Sequence, residues 1–136
     1  MTASASAKQI TAEVFEAMPD EAGTSSELIH GEIVRTPYPE WIHGYVVANL
    51  IGLLGRAVDR SVGAVYARCG FILARNPDTV LGPDLTIRHG PAPAPRDDSE
   101  YWTEEVPEID FEVVSKFDLA ETLEEKIHLY LEAGVK

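Results

Sequence analysis

The chain has 136 residues, 45% of them hydrophobic and 25% charged, which suits one soluble globular domain and argues against intrinsic disorder. With 23 acidic and 11 basic residues the formal charge is -12, so long-range electrostatics repel polyanions and count against nonspecific nucleic-acid binding by the surface as a whole. A single cysteine, Cys69, excludes an internal disulfide, and neither a signal-peptide pattern nor a membrane-length apolar run occurs, so a reduced cytoplasmic setting without membrane contact is expected.

Residues 1–10, rich in Ala and Ser, are expected to form a flexible tail, and residues 11–136 a single domain. From Thr11, a capping residue, Val14, Phe15 and Met18 recur at helical spacing until Pro19-Asp20, which predicts a short helix covering the core. Glu27-Leu28-Ile29 and Glu32-Ile33-Val34 flank His30-Gly31, a two-residue connection suited to a hairpin; Glu27 and Glu32 read as its solvated residues.

Pro37-Tyr38-Pro39 breaks the chain, and a helix is predicted from Pro39-Glu40 to about Arg60. Its stripe of His43, Val47, Leu50 and Leu54 steps by four and three, so His43 lies at the N-terminal end of the inward face. A lone histidine in that position is more often a packed, hydrogen-bonded residue than a catalyst, yet it points at the sheet and is a candidate to support a site there.

Two strands follow, Ala64–Ala67 and Phe71–Ala74, broken at Cys69-Gly70, then a turn at Asn76-Pro77-Asp78. The strand after Asp84 comes next, an order that predicts an antiparallel meander. Pro91 to Ser99 reads as a stiff connector, with Tyr101-Trp102 anchoring its far end. A last helix is predicted from Asp118 as cap, with Leu119, Leu123, Ile127, Tyr130 and Leu131 inward and Gly134 as C-cap. Lys126 borders that stripe, and taken alone it reads as a solvated lysine beside Glu124 and Glu125.

The stretch that carries chemistry joins Gly82-Pro83-Asp84-Leu85 to Ile109–Val114. Alternation sets Ile109, Phe111 and Val113 on one face and Asp110, Glu112 and Val114 on the other, so Glu112 shares a face with an apolar residue. An acid so placed is costly unless paired, hydrogen-bonded or bound to a cation. If the two segments pair, Asp84 and Glu112 converge into a hard-oxygen site suited to Mg²⁺ or Mn²⁺, with a nearby lysine to stabilise charge on a phosphate. Phosphodiester hydrolysis is the natural use of such a site.

In this order the residues Glu27-Leu28-Ile29-His30-Gly31-Glu32, His43 with its helix, Gly82-Pro83-Asp84-Leu85, Phe111-Glu112-Val113-Val114-Ser115 and Glu124-Glu125-Lys126 to Tyr130 resemble the Uma-type family of restriction endonucleases, within the PD-(D/E)XK nuclease superfamily. The resemblance implies an α/β (α+β) restriction-endonuclease-like fold, a mixed central sheet flanked by helices, and Mg²⁺-dependent cleavage of DNA. By that likeness Asp84 and Glu112 hold the metal and His43 sits near the site. Val114 stands where the superfamily usually has its lysine, and in this family that role falls to Lys126.

Three departures carry expectations of their own. Lys116 stands where relatives commonly have proline, the charge is strongly acidic for a DNA enzyme, and relatives usually add a strand beyond Lys136. The last departure predicts an open sheet edge and hence a homodimer. The alternative function is a catalytically silent nuclease-fold module that binds protein, which the acidic charge favours.

Overall fold

The computed structural model describes residues 9–91 and 102–136; residues 1–8, most of the proline-rich connector and Tyr101 lie outside the described residues. In chain order the elements are α1 (Ala12–Glu16), β1 (Thr24–Ile29), β2 (Glu32–Pro37), α2 (Trp41–Ala57), β3 (Gly63–Ala67), β4 (Phe71–Ala74), β5 (Thr79–Leu81), β6 (Leu85–His89), β7 (Ile109–Phe111) and α3 (Ala120–Ala133). The class is α+β, with three helices and two antiparallel sheets, of order β2-β1-β5-β4 and β3-β6-β7, among the described residues. One parallel bridge, Phe71 to Thr103, lies outside those strands.

The β1-β2 hairpin closes at Ile29 opposite Glu32, and His30 and Gly31 both take positive φ (51° and 78°), as a two-residue turn with the right-handed twist requires. Alternation then divides β1 between two cores. Leu28 faces Ala12 and Val80, with Phe15 and Trp102 stacked at 5.1 Å beside them, while Ile29 faces Leu81, Leu129, Tyr130 and Val135. So α1 covers one face of the first sheet and α3 the other.

Thr11 caps α1 as predicted, accepting the Val14 N–H at 3.4 Å, and Ala12 N–H donates to the buried Asp78 carboxylate at 2.8 Å. Phe15 packs inward, but Val14 and Met18 are exposed, because the helix ends at Glu16 and offers only one narrow side. Ile10, within the expected tail, donates its N–H to Gly31 O at 2.9 Å.

The predicted meander is replaced by a crossing pattern. β3 pairs with β6 and β4 with β5, so the chain changes sheets at Arg68–Gly70 and again at Gly82–Asp84. Arg68 takes φ 52°, and a Cβ at Gly70 would run into the Trp102 indole, so this bend carries the chain away from β3. β5, buried along its whole length, is three residues long, too short to show alternation, and no strand is predicted between the Asn76-Pro77-Asp78 turn and Asp84.

α2 ends three residues before the predicted Arg60, at Ala57, where Val58 turns extended. Its inward stripe is the predicted one, with His43, Val47, Leu50 and Leu54 half-buried and the outer residues exposed. In α3 the phase differs from the prediction. Leu119, Ile127 and Leu131 are exposed, and the inward face runs through Thr122, Leu123, Lys126, Leu129, Tyr130 and Ala133. Leu119, not Asp118, is the N-cap; Asp118 instead accepts the Ser115 N–H at 2.5 Å. Gly134, at φ 105°, ends the helix as predicted. Among the described residues no helix is long and apolar enough to cross a membrane.

Candidate active site

The β6-β7 ladder pairs Leu85 with Phe111, so the residues one step beyond that pair, Asp84 and Glu112, stand opposite each other. Leu85 and Thr86 are fully buried and fix the start of β6. The Asp84 carbonyl accepts the Arg68 N–H at 3.2 Å, which ties the two sheet crossings together. Asp84 Oδ2 accepts the Val113 N–H at 2.8 Å and lies 3.1 Å from His43 Nε2, which donates to it when the ring proton is on that nitrogen.

Glu112 Oε1 accepts from the Tyr130 hydroxyl at 2.6 Å and from the Lys126 ammonium at 2.7 Å. The same ammonium lies 3.1 Å from Glu27 Oε1, which in turn accepts the Gly82 N–H at 3.1 Å. One continuous chain of contacts thus links β1, the second sheet crossing, the end of β7 and α3. The inward phase of α3 follows from it: a lysine at the centre of a buried face is tolerable only with carboxylates to receive it.

Burial pushes the Glu112 carboxyl above the usual range, with the Lys126 charge working against that rise. Burial also works against the Lys126 ammonium, but Glu27 and Glu112 outweigh it and hold its pKa above the ordinary lysine value. The Tyr130 phenol, buried beside Glu112, is pushed far up and stays a donor. Asp110, on the same strand, is raised by burial and takes a bond from the Thr86 hydroxyl.

His43, Asp84, Glu112 and Lys126 line one cleft of about 90 Å³, together with Glu27 and Arg68 among others. The carboxylates of Glu27, Asp84, Glu112 and Asp118 against the Lys126 ammonium and the Arg68 guanidinium leave the cleft two formal negative charges in excess. Asp84 Oδ1 and Glu112 Oε2 make no hydrogen bond to the described residues, so each carboxylate has one oxygen tied and one free. Among the described residues no group of three or more His, Cys, Asp or Glu is arranged to hold a metal ion. A hexacoordinate Mg²⁺ is commonly held by one or two carboxylates, water and substrate phosphate oxygens, and the Asp84 and Glu112 pair fits that mode.

Three residues of the cleft region carry more than the sequence reading gave them. Glu27 lies two positions before Ile29 and therefore on the face that meets α3, so alternation applied to β1 as it was to β7 would have found it. Tyr130 read only as an apolar stripe residue. Arg68 gave no signal, since its position depends on the sheet crossing. Glu32 is exposed and lies outside the cleft, and Lys116 pairs with Glu40 at 2.7 Å away from the acids.

The sequence model of the Uma2 family, described as "Putative restriction endonuclease", matches residues 12–136. The chain belongs to the Uma2 family. Its fold is similar to that of a solved protein from Anabaena variabilis ATCC 29413, titled "a putative nuclease belonging to DUF820", with a TM-score of 0.74. The two are 17% identical, and the likeness covers 93% of this chain and 70% of that one, so it shows a shared fold. No curated protein matches the chain. Membership of Uma2 supports a nuclease function, and the resemblance expected from the sequence is thereby shown.

Proposed function

We propose that this Uma2 chain is a DNA endonuclease that hydrolyses phosphodiester bonds with Mg²⁺ or Mn²⁺ held by Asp84 and Glu112. The observation that supports this most is the opposed pair of carboxylates with the Lys126 ammonium 2.7 Å from one of them. Such an ion, when bound, supplies positive charge to a phosphate and lowers the pKa of a water. His43 and the Val113 N–H orient Asp84 through Oδ2 and leave Oδ1 to a cation. Tyr130 does the same for Glu112 through Oε1. Lys126, kept protonated by Glu27 and Glu112, offers its ammonium to negative charge developing on the transferring phosphate.

A cytoplasmic setting and self-association as a homodimer belong to the same proposal. The second reading, a silent module that binds protein, is favoured by the net charge of -12. Thermal melting with added Mg²⁺, Mn²⁺ or Ca²⁺, followed by plasmid nicking, separates the two. A ligand that binds only the native state raises Tm by mass action, so millimolar metal is expected to shift the melt, and Mg²⁺ or Mn²⁺ to support nicking. Asp84→Asn and Glu112→Gln are each expected to abolish nicking with the circular dichroism spectrum intact. A melt indifferent to metal sinks the shared site, and nicking that survives either substitution moves the chemistry elsewhere.

A further inference from the structure

The cleft that holds Asp84 and Glu112 does not stand alone. A larger cleft of about 360 Å³ adjoins it, and the two share Ser25, Glu27, Arg68 and Gly82 as lining residues. The two clefts meet at Arg68, and the larger one is lined further by Phe15, Tyr38 and Trp102. A polymer held at the acids has a path to follow.

Charge picks out one residue on that path. In this acidic chain most of the described cations are already matched: Arg35, Arg75, Arg88, Lys116, Lys126 and Lys136 each lie against a carboxylate. Arg68 is exposed, makes no side-chain hydrogen bond or ion pair among the described residues, and borders both clefts. Arg56 and Arg60 are also unmatched but line neither cleft. Arg35, the other arginine of the larger cleft, is held by Glu21 at 2.7 Å.

The backbone fixes Arg68 where it stands. Its N–H is bonded to the Asp84 carbonyl, and its φ of 52° lies in the left-handed region that a long side chain seldom adopts. A local conformation of that kind, held against its intrinsic cost beside a candidate site, points to a function.

We propose that Arg68 is a substrate-binding residue that takes a backbone phosphate of the nucleic-acid strand, next to the phosphate at Asp84 and Glu112, and leads the strand into the larger cleft. The proposal rests on the nuclease reading above. It answers how so acidic a molecule holds a polyanion: one free guanidinium where the clefts meet, with its planar fork of donors matched to phosphate, acts where the net field repels.

The test is fluorescence anisotropy of a labelled DNA duplex, with Ca²⁺ present, between about 50 and 200 mM salt. Wild type, Arg68→Gln, Arg68→Lys and Arg60→Gln are compared after their melts are matched. Loss of a charge-assisted phosphate contact is expected to raise Kd roughly tenfold for R68Q. The slope of log Kd against log salt should become shallower by about 1. R68K should keep the slope, and R60Q should behave as wild type; nicking by R68Q should show a raised KM with kcat little changed. If wild type binds and nicks but R68Q matches it in Kd and slope, the assignment of Arg68 is overturned and the nuclease reading stands. A wild type that binds no duplex overturns both.

Discussion

Lys126 is held between two acids, 3.1 Å from Glu27 and 2.7 Å from Glu112, with its side chain only 13% exposed. Lys126→Met would leave both carboxylates in the cleft without their cation, which costs on the order of 3 kcal/mol for a partly buried pair. The variant should therefore melt lower than wild type in metal-free buffer and recover more on adding Mg²⁺, while nicking is lost. Lys116→Met, at an exposed pair with Glu40, should change little beyond affinity for DNA. A dead K116M beside an active K126M would hand the role to the strand end. From the residues alone Lys126 read as solvated, because its partners Glu27 and Glu112 come from distant strands and nothing local announces them. Glu112 was legible, since an acid that shares a strand face with an apolar residue needs an explanation wherever the strand lies, and Asp84 followed from the pairing expected of the two segments.

At the level of elements, α3 shows what periodicity decides and what it leaves open. Apolar residues lie on more than one side of this helix, at Leu123, Ile127, Leu129, Tyr130 and Leu131, so the sequence admits two inward faces. Packing selects the face of Leu129 and Tyr130 and leaves Ile127 and Leu131 outside. Leu129→Ala should then cost about 3 kcal/mol by loss of buried surface and cavity formation, and Leu131→Ala less than about 0.5 kcal/mol. Urea unfolding of the two variants checks it, and comparable losses would restore the face read from the sequence. The hairpin of β1 and β2 was legible because its turn and register are local. The pairing of β3 with β6 was not, since it joins segments separated by β4 and β5, and three-residue β5 has no period to read.

At the scale of the whole molecule, a net charge of -12 keeps copies apart wherever their acidic surfaces meet. α2 is the exception: Trp41–Ala57 contains neither Asp nor Glu, and it exposes Trp41 and Tyr45 opposite the half-buried stripe and Ile42, Val46 and Leu53 along one flank. Apolar exposure of this extent on one helix face marks an interaction surface, and a two-fold pairing of α2 with α2 joins the least acidic surfaces of two copies. For the proposed homodimer, α2 is therefore a second candidate surface beside the sheet edge expected from the sequence. Because the remaining surfaces repel, the dimer should strengthen as salt screens them, the opposite of the trend for DNA. Light scattering across concentration and salt reads the mass directly, and Tyr45→Glu should shift it to monomer with the melt unchanged. A dimer that survives Y45E uses a strand edge instead, and a monomer under every condition removes self-association from the proposed function.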